Sequence, residues 1–251
     1  MHIHSDKIIA IIPARMGSTR LPGKVLMEID GVPLLEMMLT RVAQSKLLDK
    51  IVIATSTLSN DDEIEKFCQK KGYECFRGSE NDVLSRYYDC VKKYNANVIV
   101  RLTADCPLID PLIIDDVINL YYINNADYAV NTAPPETSTF PEGSDVEVFS
   151  FNALERAYKE ADNPKDREHV TFYFWKYDHG FSTAQLTQDN NWSKYRFTVD
   201  YPEDFEVVQL IFSTLKDKKI FGYLNEIISI IDSNPNIKKK NSMYYFGMAW
   251  K

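Results

Sequence analysis

Residues 7–13 begin the regular pattern of this chain, with Ile8, Ile9, Ala10, Ile11 and Ile12 in unbroken apolar succession. A run without polar alternation predicts a strand covered on both faces, as in a parallel sheet buried between helices. From Pro33 the spacing changes, and Leu34, Leu35, Met38, Leu39 and Val42 recur at the intervals of one helix face. The two periods then alternate. Residues 50–55 read as a strand, 61–71 as a helix and 73–76 as a short strand. Residues 79–82 can cap a helix carrying Val83, Leu84, Tyr87, Tyr88 and Val91, and residues 97–103 form another buried strand. This order predicts an α/β fold with a mostly parallel, doubly wound sheet, whose ligands bind beyond the carboxyl ends of the strands.

After residue 127 the pattern shortens. Strands are expected at 128–131, 146–149, 181–186 and 195–199, with helices near 152–161, 167–177, 203–215 and 223–231. The loop 132–144 carries Pro134, Pro135 and Pro141 and is long for a compact domain, which predicts a substrate-binding or dimer-forming insertion. A single domain over residues 1–251 is expected, with 127–190 as a subregion for acceptor binding or dimerisation. The run Lys238-Lys239-Lys240 reads as a solvated tail.

Charge narrows the possible partners. The balance of 29 Lys and Arg against 36 Asp and Glu, net -7, provides no broad attraction for nucleic acid or an anionic membrane. An anionic substrate must therefore meet a local cluster of cations. The cysteines Cys68, Cys75, Cys90 and Cys106 form no CxxC pair, so reduced thiols are expected rather than a disulfide framework or a zinc site. No apolar run approaches the ~18 residues that span a bilayer, and residues 1–7 lack the apolar stretch of a signal peptide, so the expected location is the cytoplasm. His2 and His4 could chelate a metal only weakly, with no further ligand beside them.

The strongest chemical signal is Pro13-Ala14-Arg15-Met16-Gly17-Ser18-Thr19-Arg20-Leu21-Pro22-Gly23-Lys24, directly after the first strand. A triphosphate needs closely approaching backbone N–H groups and fixed cations. Gly17 and Gly23 can supply the first, and Arg15, Arg20 and Lys24 the second. The segment matches neither the Walker nor the dinucleotide fingerprint. Read without its position in the fold, it could also be a basic surface turn. Asp105 follows a buried strand in Leu102-Thr103-Ala104-Asp105-Cys106-Pro107, and Asp200 ends a short strand in Asp200-Tyr201-Pro202-Glu203-Asp204. Carboxylates from two strand ends can hold a hard Mg²⁺ ion, with phosphate oxygens and waters completing its shell. Each alone could equally cap a helix or shape a turn.

Taken in order, these three segments resemble the CMP-sugar synthetases, the cytidylyltransferases that activate 3-deoxy-manno-octulosonate and sialic acids. The likeness is greatest to their SpsF-like spore-coat polysaccharide relatives, which also carry segments like Gly143-Ser144-Asp145-Val146-Glu147-Val148-Phe149 and Arg167-Glu168-His169-Val170-Thr171. The resemblance runs from about Ile8 to Val208. It implies a Rossmann-like nucleotidyltransferase fold, a homodimer, CTP and an acidic sugar as substrates, Mg²⁺ as cofactor and pyrophosphate as leaving group. By matching position, Arg15, Arg20 and Lys24 would bind the triphosphate, with Ser18 adding a hydroxyl contact. Pro13, Ala14, Gly17, Asp82, Arg101, Thr103 and Ala104 would line the nucleotide site. Asp105 and Asp200 would hold the metal, and Asp145, Glu147, Arg167 and His169 would face the acceptor. His169 is also a candidate general base, since its unperturbed pKa lies near neutrality. The chain departs from the octulosonate enzymes at Thr103-Ala104-Asp105, where they read glutamine, glycine and aspartate. GTP or UTP in place of CTP, a metal-dependent glycosyltransferase and an inactive scaffold in polysaccharide assembly remain alternatives.

Overall fold

A computed structural model describes residues 5–248; His2 and His4 lie outside the described residues. The first strand, β1 (Ile8–Pro13), leads through a long loop and a short 3-10 turn, Lys24–Leu26, into the small antiparallel pair β2 (Glu28–Ile29) and β3 (Val32–Pro33). Helix α1 (Leu34–Val42) follows, then β4 (Lys50–Ser56), α2 (Asp62–Lys71), β5 (Glu74–Gly78), α3 (Val83–Tyr94), β6 (Val98–Arg101) and α4 (Pro111–Ile123). The second part contains β7 (Tyr128–Val130), β8 (Glu147–Ser150), α5 (Phe151–Glu160), α6 (Pro164–His169), α7 (Phe172–Trp175) and β9 (Thr183–Gln185). Three helices complete the order: α8 (Pro202–Lys218), α9 (Leu224–Ser233) and α10 (Pro235–Lys240).

Seven strands form one sheet in the order β5-β4-β1-β6-β8-β7-β9. The first four are parallel, and β8 runs antiparallel to both of its neighbours. The unbroken apolar run of β1 has a direct cause. Ile8, Ala10 and Ile12 enter the core on one face of the sheet, while Ile9 and Ile11 enter the core on the other. Because side chains alternate across a strand, burial on both faces removes any polar register. The chain moves outward from β1 to β4 and β5, then crosses to the other side of β1 to lay down β6. That reversal opens a crevice at the carboxyl ends of β1 and β6, the usual ligand position in such sheets.

Several local features differ from the sequence pattern. Helix α4 is absent from the periodic reading because PLIIDDVINLYYI is apolar around much of its circumference, which blurs a 3.6-residue stripe. The helix expected over 167–177 is split into α6 and α7 at Val170, whose φ of 60° interrupts helical geometry. Residues 195–199 are extended but form only an isolated bridge, Glu142 with Arg196. The lysine run is the last turn of α10, with Lys240 paired to Glu206, so it is not a free tail. The loop 132–144 packs into its own chain, with Thr132, Ala133, Ser138, Phe140, Glu142 and Ser144 buried. The four cysteines are free thiols. Among the described residues, no helix is long and apolar enough to cross a membrane.

Candidate active site

A cavity of about 360 Å³ lies at the crevice. The loop after β1 forms one wall and is anchored from beneath by a residue the sequence reading did not single out. Buried Asp61 accepts the Met16 N–H at 2.7 Å and the Ser56 hydroxyl at 2.5 Å, fixing the first half of the loop. Gly23 sits at φ 70°, a left-handed conformation that glycine adopts without penalty. Its N–H donates to the Met16 carbonyl at 3.0 Å, and this turn directs Lys24 inward. At Gly17 an added β-carbon would meet no protein atom within 4 Å, so protein packing does not require glycine there. A ligand lying close to the backbone would.

The second wall brings together two distant segments. The backbone of Val199 donates to the Asp105 carbonyl at 2.8 Å, and the Thr198 hydroxyl donates to the same oxygen at 3.2 Å. These bonds hold the loop after β6 against the segment that ends in Asp200. Lys24 bridges the pair. Its Nζ donates to Asp105 Oδ2 at 3.0 Å, Asp200 Oδ1 at 2.8 Å and the Val199 carbonyl at 2.7 Å. Arg20 also reaches Asp200 Oδ1, at 3.1 Å, with its guanidinium 5.3 Å from the centre of the Tyr201 ring. Burial pushes the Lys24 ammonium down, but Asp105 and Asp200 outweigh burial and hold it above its ordinary value. Burial pushes the Asp105 carboxyl up, and Lys24 reverses this and holds it below its ordinary value. Both shifts are consistent with an ion-paired cluster.

A clamp supports Asp200 from behind. Asp204 Oδ2 accepts the N–H groups of Asp200 and Tyr201 at 3.0 and 3.1 Å, and Arg196 binds Asp204 through Nε and Nη2 at 2.9 and 2.8 Å. Arg196 also pairs with Glu142 and stands 3.5 Å from Asp200 Oδ2. Gly143 allows this arrangement, since at φ +110° an added β-carbon would lie 2.5 Å from the Thr198 nitrogen, closer than atoms can pack. Burial pushes the Glu142 carboxyl up to about 7.

The opposite end of the cavity is lined by Arg101, Glu147, Glu168, His169, Phe172 and Trp175, among others. Arg101 is closed on Glu147, whose other oxygen accepts the Tyr128 hydroxyl at 2.6 Å. Asp145 lies nearer the Asp105–Asp200 pair, since the Cys106 thiol stands 3.6 Å from Asp105 Oδ1 and 3.7 Å from Asp145 Oδ2; it accepts the Gly143 N–H at 2.8 Å, and burial pushes its carboxyl up. His169 stacks on Phe172 with ring centres 4.2 Å apart, and Phe172 meets Trp175 edge to face. Burial pushes the His169 imidazole down.

Most of the residues singled out from sequence meet in this one cavity. Pro13, Ala14, Arg15, Gly17, Ser18, Arg20, Lys24, Arg101, Thr103, Ala104, Asp105, Asp145, Glu147, His169 and Asp200 all line it. Arg15 stands at its edge, 3.4 Å from Glu80. Asp82 and Arg167 lie outside the residues that line the cavity. They bind each other at 2.6 Å, while Asp82 caps α3 through the Ser85 N–H and Arg167 donates to the carbonyls of Tyr158 and Ala161. Their hydrogen-bonding capacity is committed to joining α3 to α6. Arg86, Glu142, Phe172 and Trp175 line the cavity but were absent from the sequence reading. Arg86 could have been noticed as a cation on the apolar face of α3, between Val83 and Tyr87. Nothing local distinguishes Phe172 or Trp175 from core aromatics.

Among the described residues, no group of three or more His, Cys, Asp or Glu side chains forms a metal cluster. A two-carboxylate site suits only an ion that takes the rest of its shell from substrate and water, as Mg²⁺ does with nucleotides. The residues present meet that requirement, since the Lys24 ammonium shows that Asp105 and Asp200 can share one cation.

The sequence profile described as cytidylyltransferase matches residues 9–245. This chain belongs to the cytidylyltransferase family. It is 34% identical over 240 residues to the spore coat polysaccharide biosynthesis protein SpsF of Bacillus subtilis, covering 92% of this chain and 96% of the relative. A solved cytidylyltransferase from Leptospira borgpetersenii superposes with a TM-score of 0.87 at 36% identity, covering 96% of this chain and 100% of that one. A CMP:2-keto-3-deoxy-manno-octonic acid synthetase complexed with CTP superposes with a TM-score of 0.64 at 19% identity, covering 83% of this chain and 99% of that one. At that identity the likeness concerns the fold, and a nucleotidyltransferase fold is what the seven-stranded sheet presents. As a cytidylyltransferase, the chain has its loop after β1 and the Asp105–Asp200 pair where the fold places its ligand crevice.

Proposed function

We propose that this cytidylyltransferase transfers CMP from CTP to a hydroxyl of an acidic sugar, releasing pyrophosphate, for synthesis of a surface polysaccharide. The observation that carries this reading is the meeting of Arg20, Lys24, Asp105 and Asp200 within hydrogen-bonding distance at one end of a single cavity. Cations from a strand-to-helix loop suit the phosphates, and two carboxylates across from them suit a shared metal.

In this mechanism Arg15, Arg20 and Lys24 bind and orient the triphosphate, while the loop backbone at Gly17 allows close approach. Asp105 and Asp200 would hold Mg²⁺, which when bound neutralises charge on the phosphates. The Asp204–Arg196 clamp fixes the Asp200 backbone, so the carboxylate need not be ordered during the reaction. The other end of the cavity holds the acceptor against His169, Phe172 and Trp175, with Asp145 between the acceptor and the metal pair and Glu147 fixing Arg101 beside it. Attack on the α-phosphorus then depends chiefly on alignment and on stabilising the charge of the departing pyrophosphate. Cytosine as the base and an acid as the acceptor are supported by the family and by the names of the relatives.

The test is pyrophosphate release by purified protein with Mg²⁺, each of CTP, UTP, GTP and ATP, and a panel of sugar acids and neutral sugars. The expected result is release with CTP and a sugar acid. Turnover with another nucleotide, or only with neutral sugars, would replace the corresponding half of the proposal. No binding of Mg-CTP by calorimetry would leave the scaffold reading standing.

A further inference from the structure

We infer that Lys24 acts as a built-in counter-cation that keeps divalent metal off the Asp105–Asp200 pair until a nucleotide draws the ammonium away. This rests on the reading that the two aspartates hold the metal, and it adds an order in which metal and nucleotide must enter.

The geometry is that of an occupied cation site. Lys24 Nζ has three oxygen partners, one from each aspartate and one from the Val199 carbonyl, at 2.7–3.0 Å. An ammonium carries three N–H donors, so all of its capacity is used. The side chain is nearly buried, at 11% exposure, and Asp200 is at 7%. Arg20 adds a second cation to the same Asp200 oxygen. Lys24 and Arg20 match the two aspartates charge for charge, Arg196 adds a cation 3.5 Å from Asp200 Oδ2, and Asp145 adds a carboxylate on the other side of the Cys106 thiol. A metal ion approaching without nucleotide would thus find both of its ligands already paired, and would have to shed water to enter beside a fixed ammonium.

A triphosphate changes that balance. Lys24 belongs to the loop that also presents Arg15 and Arg20 to the cavity, and its four-carbon stem allows the head group to turn toward a phosphate without backbone movement. Once Lys24 and Arg20 have turned, Asp105 has lost its ammonium and Asp200 keeps only Arg196, at 3.5 Å, so the pair faces the phosphates with net negative charge, which creates the demand for a divalent ion. Nucleotide and metal therefore bind with positive coupling, and the coupling is reciprocal. The Val199 carbonyl has a part in this as well. It is fixed by the same segment whose N–H holds the Asp105 backbone, so the ammonium's resting place is built into the wall.

The test uses the full chain and Mn²⁺ alone, following the free-ion signal by electron paramagnetic resonance without nucleotide. Wild type is expected to bind Mn²⁺ weakly. Lys24→Met, which keeps the shape and removes the charge, should bind at least about tenfold more tightly, and Mn²⁺ should raise its melting temperature but not that of wild type. Lys24→Gln should shift in the same direction and covers the case in which the methionine variant does not fold. Adding Asp105→Asn to Lys24→Met should abolish the gain. Equal Mn²⁺ affinity in wild type and both Lys24 variants overturns the proposal. A separate arm keeps the underlying reading distinguishable. If Asp105→Asn leaves Mn²⁺ binding to wild type plus a non-transferable CTP analogue unchanged, the aspartates do not hold the metal and both ideas fall. If it abolishes that binding while the Lys24 variants gain nothing, only the role of Lys24 falls.

Discussion

Where the loop after β1 meets Asp200, one ammonium is shared by two carboxylates and a guanidinium reaches one of them from the surface; across the cavity, Arg101 is closed on Glu147, and behind Asp200 the Arg196 guanidinium is closed on Glu142 and Asp204. The difference lies in whether the pairs can be exchanged. The Arg20 side chain is 36% exposed and that of Asp105 27%, so a ligand can take over their partners with little loss of solvation. At the other end Arg101 and Glu147 are 19% and 8% exposed, and removing either would strand a largely buried charge. The phosphate end is built to trade partners, and the other end is built to stay fixed and to select by shape.

The sharpest break in this comparison comes from the exchangeable end. Asp200→Asn and Asp105→Asn should each lower kcat for pyrophosphate release by at least about 10³-fold, with unchanged far-UV circular dichroism. Either variant turning over normally would show that the charges there serve only stability. Arg20→Ala should have a smaller effect, about 10–100-fold in kcat/KM for the nucleotide, because Lys24 and Arg15 remain. An unchanged value for CTP would remove Arg20 from the site.

Legibility followed the same division. The parallel half could be read from sequence because its central strands β1, β4 and β6 are mostly apolar and its loop concentrates glycine and cations in twelve consecutive residues. The link between Asp105 and Asp200 is 95 residues long in the chain, and their meeting is visible only in three dimensions, in the Val199–Asp105 backbone bond and the shared Lys24 ammonium. The far end was harder. Its short strands are partly antiparallel, helix α6 ends at a strained Val170, and its aromatics look like core until the cavity is seen beside them. Asp82 and Arg167 pair with each other outside the cavity lining, which charge and position in the sequence cannot reveal. Arg196 was overlooked because it follows Tyr195 in a segment that reads as an ordinary strand, while its three acidic partners come from two separate loops and a helix.

On the fixed end, Trp175→Ala should raise KM for the acceptor about tenfold, since loss of an aromatic contact surface costs on the order of 1–2 kcal/mol, and KM for CTP should not change. A change in KM for CTP alone would place Trp175 at the nucleotide, and the assignment of the two ends would have to be exchanged.

The smallest expected effect concerns His169. Its folded-state pKa lies below the ordinary 6.5 because burial disfavours the imidazolium. As pH falls through 6.5 the unfolded chain takes up a proton that the folded protein still refuses, so the unfolded state binds more protons and folding stability declines. Above 6.5 both states are neutral and the contribution vanishes. Wild type should therefore lose more stability between pH 8 and pH 5 than His169→Gln, by less than about 1 kcal/mol, as read from denaturant melts at the two pH values. The kinetic consequence separates structure from catalysis. A residue that only completes the aromatic wall should leave the acidic limb of the kcat profile unchanged when replaced by glutamine. If that limb flattens in the variant, His169 moves a proton, and the far wall takes part in the chemistry it otherwise only frames.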